Sequence, residues 1–193
     1  MGAIFSQEDL ETNPVLVEDI LNIDMKMVME IADLINVSVF DRDALRKDEF
    51  EDIFGLGLGE AGLFFEVLKE KHPVTGEEQA DIYEAMAAIT ILCNDTYERK
   101  CTYLFSIFDF NRNFELDRGE FKLTMAATMR SMTKLTGGVM YEECIEDFAN
   151  SIFHKADLDM SGTIEMEELL GYLRKHAQIG DYLLRTTGNY FSQ

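Results

Sequence analysis

The sequence predicts an all-α protein, a two-lobe array of four helix–loop–helix units. Three observations carry this expectation. Apolar residues recur at helical spacing through much of the 193-residue chain, as in Val15, Ile20, Ile23, Met27, Ile31, Leu34 and Ile35. Only two prolines interrupt it, whereas Met numbers 11 and Phe 14. Twelve-residue polar stretches begin at residues 38, 73, 109 and 157, spaced by about 36 residues with a longer last gap. Such a period marks paired units that bury their apolar faces against one another.

In chain order, the protein opens Met-Gly-Ala-Ile-Phe-Ser, so that Gly2 and Ser6 fit the N-myristoylation pattern. Residues 14 to 37 read as a helix. The stretch from Ser38 to Glu49 follows. A loop that wraps Ca²⁺ offers oxygens at its first, third, fifth, seventh, ninth and twelfth places, with Gly sixth and an aliphatic residue eighth. This stretch keeps Leu45 eighth and Glu49 twelfth, but Phe40 and Arg42 stand where ligands are needed. It reads as a loop whose fold survives without its metal site. Gly57, Gly59 and Gly62 match G-x-G-x-x-G, with Asp81 19 residues after Gly62. A dinucleotide site needs a buried strand before the glycines. The charged helical pattern at Asp48–Phe54 points instead to a helix end and a turn.

Residues 63 to 71 read as a further helix. Pro73 to Glu84 form the second stretch, with Asp81 ninth and Glu84 twelfth, but Pro73 and Val74 open it and Thr75 and Glu77 are poor ligands. A helix over 82–93 leaves it, and another begins near Asn94 or Asp95, either of which can cap it. Its apolar face, Tyr97, Cys101, Leu104, Phe105 and Phe108, runs into the third stretch. There Asp109, Asn111, Asn113 and Glu115 hold the first, third, fifth and seventh places, Leu116 the eighth, Asp117 the ninth and Glu120 the twelfth. The ligand set is complete, but Phe114 stands where Gly is wanted, and a side chain forced into the left-handed region costs about 1–2 kcal/mol. The exit helix carries Met125, Met129 and Met132, and Gly137-Gly138 ends it. Helix 141–153 turns Ile145, Phe148, Ile152 and Phe153 inward and leads to the fourth stretch.

That stretch, Asp157 to Glu168, satisfies the pattern throughout. Asp157, Asp159 and Ser161 each supply a side-chain oxygen, Gly162 permits positive φ, and Thr163 supplies its carbonyl. Ile164 stands eighth, Glu165 ninth and acting through water, and Glu168 reaches with both oxygens. This is the EF-hand calcium loop. Leu169, Leu170 and Leu173 follow on its exit helix, then an apolar tail with Ile179, Tyr182, Leu183, Leu184, Tyr190 and Phe191. Because each loop's short strand needs a neighbour, the stretch at 38 is expected to pair with that at 73, and 109 with 157. The domains expected are 1–93, 94–176 and a tail, 177–193.

The net charge of −20 disfavours nucleic acid and anionic lipid and favours cations and basic partners. Cys93, Cys101 and Cys144 form no C-x-x-C and read as reduced, buried thiols of a cytoplasmic protein. The N-terminus lacks a secretory signal, so Asn36-Val37-Ser38 and Asn94-Asp95-Thr96 are not read as glycosylation sites. His72, His154 and His176 lie in no H-E-x-x-H arrangement, and neither G-x-S-x-G nor a phosphate loop occurs. No enzymatic activity is expected.

Loop order, the long last gap, the Met-Gly start and the tail resemble the neuronal calcium sensor family. The wider group containing calcineurin B and the ciliary sensor calaxin is also similar. The resemblance implies a compact two-lobe α-helical protein, in which the loops of this chain read as two degenerate N-terminal EF-hands and two metal-competent C-terminal ones. It implies one or two Ca²⁺ ions, with Mg²⁺ as competitor, on Asp109, Asn111, Asn113, Glu115 and Glu120 and on Asp157, Asp159, Ser161, Thr163 and Glu168. It further implies a target helix or basic protein segment held in a calcium-dependent hydrophobic groove, and membrane contact only through an acyl group on Gly2. Members of the sensor type commonly keep metal in the second loop, which this chain has lost. The alternative is a constitutive assembly subunit of a ciliary or cytoskeletal scaffold.

Overall fold

A computed structural model describes residues 14–38, 42–55, 57–138 and 141–176. Gly2, Phe40 and the tail at 177–193 lie outside them. The chain runs α1 (Pro14–Asn22), α2 (Met25–Ser38), β1 (Ala44–Leu45), α3 (Lys47–Phe54), α4 (Ala61–Leu68), β2 (Glu70–Lys71) and β3 (Glu78–Asp81). It continues through α5 (Ile82–Leu92), α6 (Tyr97–Phe108), β4 (Glu115–Asp117), α7 (Arg118–Leu135), α8 (Glu142–Ala156), β5 (Thr163–Glu165) and α9 (Met166–Lys175). Among the described residues the protein is mostly helical, with short strands in or beside the loops.

Two departures from the sequence expectation have local causes. The helix expected over 14–37 is broken at Ile23-Asp24. Asp24 accepts the Met27 N–H at 2.9 Å and so caps α2, while the freed Ile23 carbonyl accepts from Asn94 N–H at 2.7 Å. The helix expected over 63–71 stops at Leu68, because Glu70 and Lys71 pair as a strand with Gln79 and Glu78. Asn94 and Asp95 are not the cap of α6; Thr96 stands there, and Asp95 accepts its N–H at 2.6 Å.

The loops pair as their eighth residues require. Leu45 faces Ala80 across β1 and β3, and Leu116 faces Ile164 across β4 and β5. All four are fully buried. The buried residues form one continuous cluster from Leu16 to Leu173, so the halves share a core where α5 lies along α7. In the N-terminal half, Phe50 stacks on Phe54 at 4.2 Å and meets Phe64 and Phe65 edge-on. The Gly57–Gly62 segment follows a helix, α3, rather than the buried strand a nucleotide cradle needs. A Cβ on Gly57 would stand 2.8 Å from Met27 Cγ, so close packing on α2 explains this glycine. Cys93 and Cys101 are buried as expected, but Cys144 is exposed, because α8 turns its neighbour Ile145 inward instead. Among the described residues no helix is long and apolar enough to cross a membrane.

Candidate metal centre

The third and fourth loops are built alike, place by place. In the fourth, Asp157 accepts the N–H groups of Ser161 at 3.0 Å and Gly162 at 3.1 Å, and Asp159 accepts Ser161 N–H at 2.9 Å. In the third, Asp109 accepts from Asn113 at 3.1 Å and Phe114 at 2.9 Å, and Asn111 accepts from Asn113 at 3.0 Å. The fifth-place side chain accepts the seventh N–H in both, Asn113 from Glu115 at 3.0 Å and Ser161 from Thr163 at 3.3 Å. These bonds curl the backbone and bring the first and third side chains together on the fifth-place N–H.

The twelfth carboxylate closes each loop. Glu168 accepts from Leu158 N–H at 2.9 Å with Oε1 and from Glu165 N–H at 3.1 Å with Oε2. Glu120 does the same with Phe110 N–H at 3.1 Å and Asp117 N–H at 3.0 Å. The carboxylate thus spans the mouth of the loop from its second to its ninth place, and it sits in the first turn of α7 or α9. Backbone conformation matches as well. The fourth place is left-handed in both, Arg112 at φ 57° and Met160 at φ 60°, and so is the sixth, Phe114 at 65° and Gly162 at 88°. Phe114 therefore takes the glycine conformation, and its ring gains no burial in return, being 82 % exposed.

Oxygens of Asp157, Asp159 and Glu168 lie within 4.8 Å of one another. Ligands on one Ca²⁺ stand about 2.3–2.6 Å from it, so three oxygens that close fit a single ion, and an all-oxygen donor set suits a hard cation. The third loop holds fewer charges, since Asn111 and Asn113 replace carboxylates.

The first two loops are closed by cations of the protein itself. Arg42, fifth in its loop, forks onto Glu49, twelfth, with N–O distances of 2.7 and 3.2 Å. The Arg42 hydrogen bond holds the Glu49 carboxyl below its usual range. Glu49 still accepts the N–H of Arg46, ninth, at 3.1 Å. In the second loop the hairpin β2–β3 replaces the ion-wrapping curl, and the ring Nδ1 of His72 accepts the N–H groups of Val74 and Thr75. Glu84, twelfth there and only 3 % exposed, turns to Lys134 of α7 at 2.6 Å. Sequence reasoning missed Lys134. The only signal was a basic residue in the last turn of a helix, which has commoner explanations.

The geometry defines a helix–loop–helix protein with a paired, oxygen-lined loop system in its C-terminal half. No family model matches the chain. It is similar to guanylyl cyclase-activating protein 1 of Gallus gallus, 26 % identical over 140 residues, covering 72 % of this chain and 68 % of that protein. The same protein of Lithobates pipiens is 25 % identical over 144 residues, 74 % of this chain and 68 % of the relative. Guanylyl cyclase-activating protein 3 of Homo sapiens is 26 % identical over 129 residues, 66 % of this chain and 59 % of the relative. All three relatives are named for activating guanylyl cyclase, and none of them is a calcineurin B or a calaxin.

Proposed function

We propose that this protein is a calcium-dependent regulator of a target protein, with Ca²⁺ held by the fourth loop and more weakly by the third. The observation that carries the reading is the place-by-place identity of the two loops, down to both oxygens of Glu120 and Glu168. Asp157, Asp159, Ser161, Glu168 and the Thr163 carbonyl hold the tighter ion. Asp109, Asn111, Asn113, Glu120 and the Glu115 carbonyl hold the other, at a site made weaker by fewer charges and by Phe114. The first two loops bind no metal, because Arg42 and Lys134 already neutralise their closing carboxylates.

The response passes to α7 and α9, which begin at the closing carboxylates. An apolar cavity of about 40 Å³ lies among α6, α7, α8 and α9, lined by Cys101, Leu104, Phe105, Met125, Leu169 and Leu173 among others. We place the target-binding groove here, where movement of α9 would widen it. Guanylyl cyclase, named in the relatives, is the first target to assay. Titration with Ca²⁺ while following tyrosine emission and an apolar dye tests the reading. A saturable change in both supports it, and no change in either overturns it.

A constitutive assembly subunit is the second reading. It is favoured by the burial of Met125, Met129 and Met132, which are 5, 3 and 2 % exposed and serve as core. Pull-down with and without chelator separates the two readings. Equal recovery supports the clamp, and loss on chelation supports the sensor.

A further inference from the structure

We infer that Lys134 is a positioning residue that ties the state of the third loop to the N-terminal half. The inference rests on the proposal that the third loop takes Ca²⁺. Three of the twelfth-place carboxylates, Glu49, Glu120 and Glu168, accept the N–H of their own ninth residue. Glu84 is the exception. Asp81 caps α5 by accepting Glu84 N–H at 2.9 Å, as Asp117 accepts Glu120 N–H at 2.9 Å. The Glu84 carboxylate, however, is drawn out of its loop to Lys134.

Lys134 belongs to the C-terminal half by sequence, yet its three partners belong to the N-terminal half. Its ammonium donates to Glu84 at 2.6 Å and to the Leu68 carbonyl at 3.0 Å, and it pairs with Glu70 at 2.6 Å. An ammonium has three donors, and all three are used. Burial pulls this lysine down, but Glu70 and Glu84 more than reverse the effect and leave it above its ordinary value. The contacts thus gather the end of α4, strand β2 and the start of α5 around one charge.

The same helix closes the third loop at its other end. Glu120 lies in the first turn of α7 and Lys134 in the last, on one 18-residue helix about 27 Å long. A second route leads to the same place. Phe110, whose N–H is bound by Glu120, meets the ring of Tyr83 at 5.7 Å, and Phe108 meets it at 5.6 Å. Adjacent residues 83 and 84 therefore touch both the entry of the third loop and the far end of its exit helix. A metal ion that recruits both Glu120 oxygens competes with the N–H groups of Phe110 and Asp117. The resulting shift of α7 is felt where Lys134 grips Glu84. Arg42 closes the first loop on Glu49 within its own half.

Hydrogen exchange on the full-length chain, with calcium and with chelator, tests this. Exchange at residues 78–84 is expected to change with calcium by about fivefold or more, alongside changes in the third and fourth loops. In Lys134→Gln the change at 78–84 is lost while calorimetry still records calcium at the third loop, and Lys134→Arg retains it. An unaltered response at 78–84 in Lys134→Gln overturns the inference. So does a wild-type chain that binds calcium at the third loop without any response there. Should Lys134→Gln fail to fold, Glu84→Gln keeps the side chain's shape and must at least halve the response; a full response overturns the inference. Absence of any calcium heat would overturn the calcium function itself, a distinguishable result.

Discussion

The two loop pairs share a scaffold and differ in what closes them. Leu45 opposite Ala80 and Leu116 opposite Ile164 make the same buried crosspiece. In the C-terminal pair the twelfth carboxylates are held by backbone N–H groups that a metal ion can displace. In the N-terminal pair they are held by Arg42 and Lys134, cations that cannot leave. Under the proposed function, a tethered positive charge does in the N-terminal pair what a metal ion does in the C-terminal pair, and the source of that charge sets how far the loop can still respond.

The sharpest break with this picture comes from removing the tethered charges. Lys134→Met leaves Glu84 buried without a partner and is expected to destabilise the fold by about 3–5 kcal/mol. Arg42→Gln opens an ion pair whose arginine is 47 % exposed, and solvent screening makes its cost far smaller. Urea unfolding measures both, and equal costs would contradict the assigned difference between the two loops.

A third cation, Lys100, marks the junction of the halves. It is 3 % exposed, donates to the Ile91 carbonyl at 2.9 Å, and burial lowers it to about 8. Its folded pKa lies below its unfolded one, so the unfolded chain binds the proton more tightly between them, and stability rises with pH over that interval. The gain over the whole interval from 8 to 10.5 is about 3 kcal/mol. Burial raises Cys93 and Cys101 to about 11. These thiols oppose the gain above the usual thiol range, because the unfolded chain then loses protons that the folded one keeps. The rise is therefore read between pH 7.5 and 9 as the difference between wild type and Lys100→Met, which should lack it.

In the C-terminal pair, Asp157→Ala should weaken the tighter calcium step by at least about 100-fold, since loss of outer-shell groups alone costs 10–100-fold. Calorimetry measures this, and an intact tight step would reverse the ranking of the two sites. The smallest effect falls on Phe114→Gly. Relief of left-handed strain, less the added freedom of glycine in the unfolded chain, should stabilise the protein by about 0.5–1 kcal/mol, read as a higher urea midpoint.

The third and fourth loops were legible because ligand spacing is local. Position within a dozen residues fixes which backbone N–H each loop side chain accepts, and Phe114 in the left-handed region follows from its place alone. The pairing of loops was legible from the aliphatic eighth residues. The break at Ile23-Asp24 was not, because the apolar stripe runs through it and the compensating partner, Asn94, is about 70 residues away. The β2–β3 hairpin was hidden for a related reason. Glu70 and Lys71 extend a helical pattern, and pairing with Glu78 and Gln79 overrides it. Lys134 shows the limit most plainly, since nothing local joins it to Glu84 50 positions earlier.

Calorimetric titration of the metal-stripped, full-length protein with Ca²⁺, repeated on the Asp109→Ala/Asp157→Ala double variant, is the most direct test. Calcium heat in the wild type that disappears in the double variant is the predicted result. Heat that persists undiminished in the double variant would place the ion elsewhere and contradict the division of labour between the loop pairs.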